Sequence, residues 1–238
     1  MAAVQAPSPV QAPAFTRLLA RLAGADIPAS GPALAERLGQ WLDWNRAVVL
    51  ARALDGRLPE PQPTATTGSD DAADCARVRA SLAEAIGSER GLNLSTAAAA
   101  DFAPFRQYAL ATQRAMQAAS GRLRGQLREQ MAAIPALARL AEVDAVMEQT
   151  LSPREANVLA GVPRLLEARF EQLRASAGTP VAELPHAVAA GDAGAMALPP
   201  APAPWLAVFR GDLKDVLLAE LDVRFHPIEG LLAALRSC

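Results

Sequence analysis

The fold of this chain is decided by residues 102–134, which have the sequence FAPFRQYALATQRAMQAASGRLRGQLREQMAAI. Apolar and small side chains recur there at steps of three and four residues, so that they share one side of an α-helix. These positions are Phe102, Phe105, Ala109, Thr112, Met116, Ala119, Leu123, Leu127, Met131 and Ile134. An apolar stripe of this length predicts a central helix that packs on other elements along its whole length.

The composition of the chain also favours helices over sheets. Alanine and leucine are its commonest residues and aromatic residues make up 4% of it, whereas strands prefer aromatic and β-branched side chains. With 238 residues, the chain can bury a sizeable core as one domain or as two small ones. We therefore predict an all-α fold, an irregular multi-helix bundle in which the central helix packs on residues 135–175 and on a helix that carries Trp41.

Two helices are predicted at the N-terminal end. The first covers residues 14–23 and ends at Gly24. The second begins with a serine N-cap followed by a proline in the first turn, and it covers residues 30–55 without interruption. It carries Trp41 and Trp44, which we predict to be core anchors because such rings bury large areas.

Capping signals and prolines divide the rest of the chain. Helices are predicted over residues 70–86 and from Pro135 to about residue 149. The sequence Ser-Pro-Arg-Glu at residues 152–155 has the pattern of a capping box with proline in the first turn, which predicts the start of another helix. Pro163 is expected to break or kink that helix, because proline lacks an N–H group and clashes with the preceding turn.

Residues 205–238 form a strongly apolar C-terminal segment. Pro227 is expected to interrupt it and leave a short final helix over residues 228–235. Apolar side chains cover more than one side, so the segment either packs back on its own chain or docks on a partner. The candidate partner-docking residues are Trp205, Phe209, Leu213, Val216, Leu217 and Phe225.

Proline-rich stretches define the expected domain boundaries. Residues 1–13 are predicted to be a disordered tail, and residues 14–175 a helical domain with a flexible linker at residues 57–71. A second flexible linker, residues 176–204, separates that domain from the C-terminal segment.

The charge and the cysteine content limit the location of the protein. Its formal net charge is −2, so there is no global attraction to nucleic acid or to acidic membranes. Cys75 and Cys238 give no framework of disulfides, and no apolar run is long enough to span a bilayer. The first residues lack the pattern of a secretory signal. We expect a cytoplasmic protein.

The sequence contains no catalytic, metal-binding or cofactor-binding constellation that we recognise. His186 and His226 have no partner at a metal-ligand spacing, and Cys75 has no basic neighbour that could activate it. Neither a Gly-x-Ser-x-Gly motif nor a glycine-rich phosphate loop with its lysine is present. We therefore expect no cofactor and no enzymatic activity.

The side of the central helix opposite the apolar stripe is basic. It is a candidate contact for phosphates or for an acidic partner, although the neighbouring segments are acidic and no aromatic residues alternate with the arginines. Intramolecular pairing is therefore the preferred interpretation and nucleic acid is disfavoured as a partner. The candidate residues are Arg106, Arg114, Arg124 and Arg128.

Three blocks carry a resemblance to a known family. They are residues 35–44 (AERLGQWLDW), residues 152–155 with residues 165–170 (LLEARF), and residues 215–222 (DVLLAELD). Together they resemble an uncharacterised family of helical proteobacterial proteins, the domain of unknown function 3348. The resemblance implies no functional residue. It implies a link to a cell-envelope system, because relatives are encoded near envelope proteins of the OmpA type.

These observations favour a non-enzymatic protein that takes part in protein–protein interaction or assembly, with a protein partner or self-association. One alternative is a nucleic-acid-associated regulator that uses the arginine side of residues 106–128. The other alternative is an enzyme of an unrecognised helical class, which would need a polar pocket with convergent acids or histidines.

Overall fold

The computed structural model describes residues 13–26, 34–57, 71–88, 101–178 and 203–237. All regular structure in these ranges is α-helical and none is strand, which confirms the predicted all-α bundle. The helices are α1 (Ala14–Ala23), α2 (Leu34–Trp41), α3 (Trp44–Asp55), α4 (Asp71–Gly87), α5 (Ala103–Ala133), α6 (Ala138–Leu159), α7 (Val162–Gly178) and α8 (Pro204–Arg236).

Helix α5 is the predicted central helix, and its buried face follows the predicted stripe. Eight of the ten stripe positions are buried, from Phe102 to Met131, while Thr112 and Ile134 are partly buried. The buried face also contains Gln113, which the apolar pattern did not include. Helix α5 packs against α4, α6, α7 and α8.

Helix α8 is the second long helix of the bundle. It spans 33 residues and packs against α1, α4, α5 and α7. The C-terminal segment therefore packs back on its own chain, which is one of the two arrangements that its sequence left open. In the described ranges, no helix is both long and apolar enough to cross a membrane.

Aromatic side chains from α5, α7 and α8 meet in the centre of the core. The rings of Phe105, Phe170 and Phe209 are fully buried, and Phe209 lies edge-on to the other two with centroid distances of 5.1 Å. Trp205 meets Phe170 edge-on at 5.2 Å. Such pairs contribute about 0.5–1.5 kcal/mol each beyond their burial, so this cluster fixes how the three helices meet.

The prediction of one continuous helix over residues 30–55 was wrong. The chain leaves the helical conformation after Trp41 and starts again at Trp44. Asp43 is extended at the N-cap of α3, where its side chain accepts a hydrogen bond from the Arg46 N–H at 2.9 Å. This bond satisfies one of the free N–H groups of a helix start, so the break is stable.

Two predicted interruptions were also wrong, because Pro153 lies inside α6 and Pro227 lies inside α8. The Ser-Pro-Arg-Glu block is therefore not a helix start. An internal proline costs about 3 kcal/mol. Burying one large apolar side chain returns about 1.5–3 kcal/mol, and α8 continues past Pro227 to bury both Ile228 and Leu231.

Other predicted boundaries agree with the structure. Helix α1 ends at Gly24, which has a left-handed φ of 60°, and α4 and α5 match their predictions to within one residue at each end. Pro163 lies in the first turn of α7, after α6 ends at Leu159. Helix α7 continues to Gly178, so residues 176–178 are helical rather than linker.

Several predictions concern residues outside the described ranges. They are most of the tail at residues 1–13, most of the linkers at residues 57–71 and 176–204, Ser30, His186 and Cys238.

Candidate functional site

The outer side of α3 carries an exposed row of apolar and small side chains. We call Trp44, Ala47, Ala51 and Leu54 the α3 stripe; their spacing of three, four and three residues places them on one side of the helix. All four are exposed, Trp44 at 81% and Leu54 at 49%. The prediction that Trp44 is a core anchor was wrong, because the break at Asp43 starts a new helix whose first residue points outward. Trp41 is half-buried, with the Arg154 guanidinium 5.6 Å from its ring centroid.

Helix α3 is held in this orientation by α6. Ala53 on its inner side is buried. Arg139 of α6 donates hydrogen bonds of 2.9 Å to the carbonyl oxygens of Ala53 and Gly56. A cation at a helix C-terminus satisfies free carbonyl groups and complements the helix dipole. The inner side is therefore fixed and the α3 stripe faces outward.

An acidic residue flanks each end of the α3 stripe in the sequence, and the first of them, Asp43, lies 3.9 Å from the Arg46 guanidinium. Asp43 precedes the stripe, Asp55 follows it, and both are exposed. At 100° per residue, Arg46 and Arg52 lie well away from the centre of the stripe, toward the inner side and one flank. The α3 stripe is therefore an apolar strip with an acid at each end.

The side chains that were predicted to dock on a partner are in the core instead. Phe209, Leu213, Val216 and Leu217 are completely buried, and Phe225 is nearly so. Trp205 is partly buried against Phe170. These residues cannot form a docking surface in this structure, because α5 and the neighbouring helices already cover them.

Three of the four candidate arginines of α5 make ion pairs within the chain. Arg106 lies 2.6 Å from a carboxylate oxygen of Glu167. Arg124 holds Asp144 through two bonds, of 2.6 and 2.9 Å, and Arg128 pairs with Asp144 and Glu148. Arg114 is exposed.

The environment of Arg124 keeps it charged. Burial acts to lower its pKa, but the hydrogen bond to Asp144 and the charges of Asp144, Glu148 and Glu155 act in the opposite direction, and the pKa is raised overall. The partial burial of this ion pair strengthens its Coulomb attraction relative to the exposed pair of Arg106, at a cost in desolvation.

A second charged group is buried between α5, α6 and α8. The carboxylate of Glu220, which is 0% exposed, accepts two hydrogen bonds from Arg224 at 2.8 and 2.9 Å and one from Gln113 at 2.8 Å. Gln113 also donates to the carbonyl oxygen of Leu159, at 3.2 Å. Arg224 has a longer contact with Glu155, at 3.4 Å. Burying charges is expensive unless they are paired, so Glu220, Arg224 and Gln113 depend on one another.

Cys75 does not have the environment of a nucleophile. It is buried in α4, and burial together with the negative charges of Asp71 and Asp74 raises the pKa of its thiol. Among the described residues, no group of three or more His, Cys, Asp and Glu side chains is placed to hold a metal ion.

Two features that were not predicted from the sequence have detectable signals in it. Asp43 is a good N-cap residue directly before Trp44, which is the pattern of a second helix start. Glu220 falls seven residues after Leu213 and three after Leu217, on the buried period of α8. A charge at a core position indicates a buried polar partner.

The fold and its surfaces define an all-α helical protein with a buried charged cluster and an exposed apolar strip on one short helix. The chain belongs to the family described as protein of unknown function (DUF3348), which matches it over residues 1–237. No curated protein matches it, and no solved structure does.

Proposed function

We propose that this protein is a non-enzymatic assembly accessory that binds an amphipathic helix of a partner protein on the α3 stripe. The observation that carries the proposal is Trp44, a large aromatic side chain that is 81% exposed on a helix whose inner side is fixed. Tryptophan is enriched among the residues that dominate binding energy at protein interfaces.

The spacing of the α3 stripe favours a helix as the occupant. Positions 44, 47, 51 and 54 have the a/d pattern of two packed helices. The small side chains of Ala47 and Ala51 allow a second helix to approach closely, between the larger anchors Trp44 and Leu54. Because Asp43 is already paired with Arg46 and Asp55 is exposed at the other end of the stripe, the complementary helix carries a lysine or arginine that faces Asp55.

The size of the surface favours a helical segment of another protein over a second copy of this chain. Helix α3 has 12 residues and is therefore about 18 Å long. A stable dimer needs about 800 Å² of buried surface on each partner, which a single helix of this length does not supply. Short amphipathic segments are commonly bound on surfaces of this size.

The alternative of a nucleic-acid-associated regulator has less support. Arg106, Arg124 and Arg128 already pair with carboxylates of α6 and α7, so their interaction with phosphate would require those pairs to break. The link to a cell-envelope system rests on the family resemblance and stays an expectation.

The test compares affinity purifications of the unaltered protein, Trp44→Ala and Val158→Ala from the native host. Val158 is the matched control, because it is also a large apolar residue on a helix surface, 69% exposed. We expect a stoichiometric partner that is retained by Val158→Ala and lost with Trp44→Ala, whose circular dichroism spectrum and melting temperature stay unchanged. A partner that is retained equally by both variants would refute the α3 stripe as the docking surface. Light scattering of the purified protein tests for self-association. A dimer that is lost in Trp44→Ala would show that the α3 stripe binds a second copy of this chain and not a helix of another protein.

A further inference from the structure

Helices α2 and α3 are separated by a short break that the local sequence does not require. Only Leu42 and Asp43 lie between the two helices. Residues 40–55 contain neither glycine nor proline, the two residue types that interrupt helices most strongly. The same residues are therefore compatible with one continuous helix over residues 34–55, and contacts from outside this segment help to decide between the two arrangements.

Two contacts hold the break. On the α3 side, the Asp43 carboxylate accepts a hydrogen bond from the Arg46 N–H at 2.9 Å. On the α2 side, Arg154 of α6 donates to the carbonyl oxygen of Trp41 at 3.4 Å, and its guanidinium lies 5.6 Å from the centroid of the Trp41 ring. In a continuous helix, that carbonyl oxygen would accept the Asn45 N–H instead. Arg154 therefore fixes the end of α2 to α6 and takes the place of a helical donor.

The hold of Arg154 is incomplete. Its hydrogen bond to the Trp41 carbonyl oxygen, at 3.4 Å, is longer than the usual range of about 2.7–3.2 Å. Its Nε is buried and has no hydrogen-bond partner among the described residues. A buried donor that is left unpaired costs free energy, so Arg154 favours the broken arrangement by a modest amount only.

The break determines how open the Trp44 ring is. A helical side chain leans toward the N-terminus and lies over the preceding turn. In a continuous helix, Trp44 would lie over Gln40 and Trp41, which are four and three residues earlier. As the first residue of α3, it has no preceding turn in its own helix, and it is 81% exposed. The Trp41 ring thus has two alternative neighbours, Arg154 in the broken arrangement and Trp44 in a continuous helix.

Given the function proposed for the α3 stripe, on which this regulation rests, we propose that Arg154 and Asp43 are positioning residues that keep Trp44 open to the partner helix. When their contacts are lost, α2 joins α3, and Trp44 then lies on Trp41 and is withdrawn from the α3 stripe. The docking surface is available only while α6 holds the end of α2.

The experiment is nuclear magnetic resonance of the full chain, which reads the conformation of residues 42 and 43 from their α-carbon chemical shifts. Asp43→Ala removes the cap, and Arg154→Ala removes the contacts with Trp41. The control for the cap is Asp101→Ala, because the Asp101 carboxylate accepts the Ala103 N–H at 2.9 Å at the start of α5. The control for the ring contact is Arg106→Ala, because that guanidinium lies 5.7 Å from the Phe102 ring centroid.

The two changes should act in the same direction. Loss of an N-cap should raise the ratio of continuous to broken helix about fivefold. Loss of a cation–π contact should raise it about two- to fivefold, so the double variant should change it about tenfold or more. The shifts of residues 42 and 43 should move toward helical values in each single variant and furthest in the double variant. They should not move in Asp101→Ala or Arg106→Ala.

A proline at the break separates helix continuity from the loss of contacts. Asp43→Pro blocks a continuous helix, because proline lacks the N–H that the helix needs, and the φ of −67° at Asp43 already suits proline. Asp43→Ala with Arg154→Ala should retain less of the partner in affinity purification. Asp43→Pro with Arg154→Ala lacks the same contacts but cannot form the continuous helix, and it should retain the partner as the unaltered chain does.

The proposal is overturned if residue 42 stays non-helical in Asp43→Ala with Arg154→Ala, or if the proline variant retains the partner no better than that double variant. Circular dichroism and thermal melts show that each variant is folded. The chemical shifts need no partner, so they separate this regulation from the function of the α3 stripe. If α2 and α3 join but Trp44→Ala retains the partner, the α3 stripe is not the docking surface and only the conformational change stands.

Discussion

Replacing Glu220 by glutamine should destabilise the protein far more than an equivalent change at the surface. Glu220→Gln keeps the shape of the side chain but removes the charge that Arg224 faces and places an amide N–H₂ against a donor of either Arg224 or Gln113. Removing one partner of a buried ion pair costs about 3–5 kcal/mol. Arg224 retains Glu155 at 3.4 Å, so the lower end of that range, about 3 kcal/mol, is the expected loss.

Urea denaturation followed by circular dichroism measures this loss. With a slope of about 2–3 kcal/mol per molar urea, the midpoint should fall by about 1–1.5 M. The matched control is Asp222→Asn, on the same helix, where an exposed ion pair of 2.7 Å joins Arg79 and Asp222 with side chains 40% and 58% exposed. That variant should lose less than about 1 kcal/mol.

A double variant separates the ion pair from the packing. In Glu220→Leu with Arg224→Met, no buried charge is left unpaired, and Gln113 still donates to the Leu159 carbonyl oxygen. The double variant should be more stable than Glu220→Gln. Two results would refute the interdependence of Glu220, Arg224 and Gln113. One is a free energy of unfolding for Glu220→Gln within about 1 kcal/mol of that of the unaltered chain. The other is a double variant that is the least stable of the three proteins.

Three further predictions concern single positions. Gly230→Ala should stabilise the protein by about 0.5–1 kcal/mol and raise its melting temperature by a few degrees, because Gly230 lies in α8 with nothing within 4 Å of an added Cβ. Gly24→Ala should lower the melting temperature, because Gly24 has a φ of 60°. Thermal melts in which both variants shift the melting temperature in the same direction would contradict this expectation. In a Cys238→Ser protein, Cys75 should react with a disulfide reagent at neutral pH only on unfolding, because its raised thiol pKa and its burial keep the thiolate rare; fast reaction of the native protein would disprove this. Tyr108 is the single tyrosine, its hydroxyl donates to the carbonyl oxygens of Ala85 and Ile86, and burial raises its pKa. The protonated hydroxyl is thus favoured by folding, and its stabilisation is complete below the unfolded pKa of about 10 and is lost as the pH rises through the higher folded pKa. Absorbance titration at about 295 nm should accordingly give a higher midpoint for the native chain than for the chain in urea, and the difference should disappear if Tyr108 is not held by α4.

The sequence was sufficient to predict the elements whose packing repeats with the helical period. Helix α5 was predicted because a long amphipathic stripe fixes both a helix and its buried side. Helix α1 was predicted because its apolar pattern ends at Gly24, and the structure places that glycine in the left-handed conformation typical of a helix end. In both cases the local conformational preference and the tertiary packing favour the same structure, so the helix can be predicted from its own residues.

The prolines show where local rules fail. The same local rule predicts a helix boundary at Pro153, Pro163 and Pro227, yet of these three only Pro163 lies at one. At Pro227 the penalty is offset by the residues beyond it, because α8 continues and buries Ile228 and Leu231 against the rest of the bundle. That gain depends on residues that are distant in the sequence, so it cannot be predicted from the residues around Pro227 alone.

The break between α2 and α3 is a second place where local rules fail, and it carries the proposed docking surface. In a continuous helix, Trp41 and Trp44 would be separated by about 300° around the axis, which is about 60° in the other direction, so both would lie on one side. The apolar pattern alone favours that arrangement. The N-cap of Asp43 resets the helix instead, so Trp41 stays half-buried beside Arg154 while Trp44 begins a new helix on the outside. A tryptophan that is 81% exposed gives up most of the burial energy that so large an apolar side chain can contribute. Sites that give up such stability without a structural gain are where function is expected, and this is the physical reason why we propose partner binding on α3 rather than on the more apolar α8.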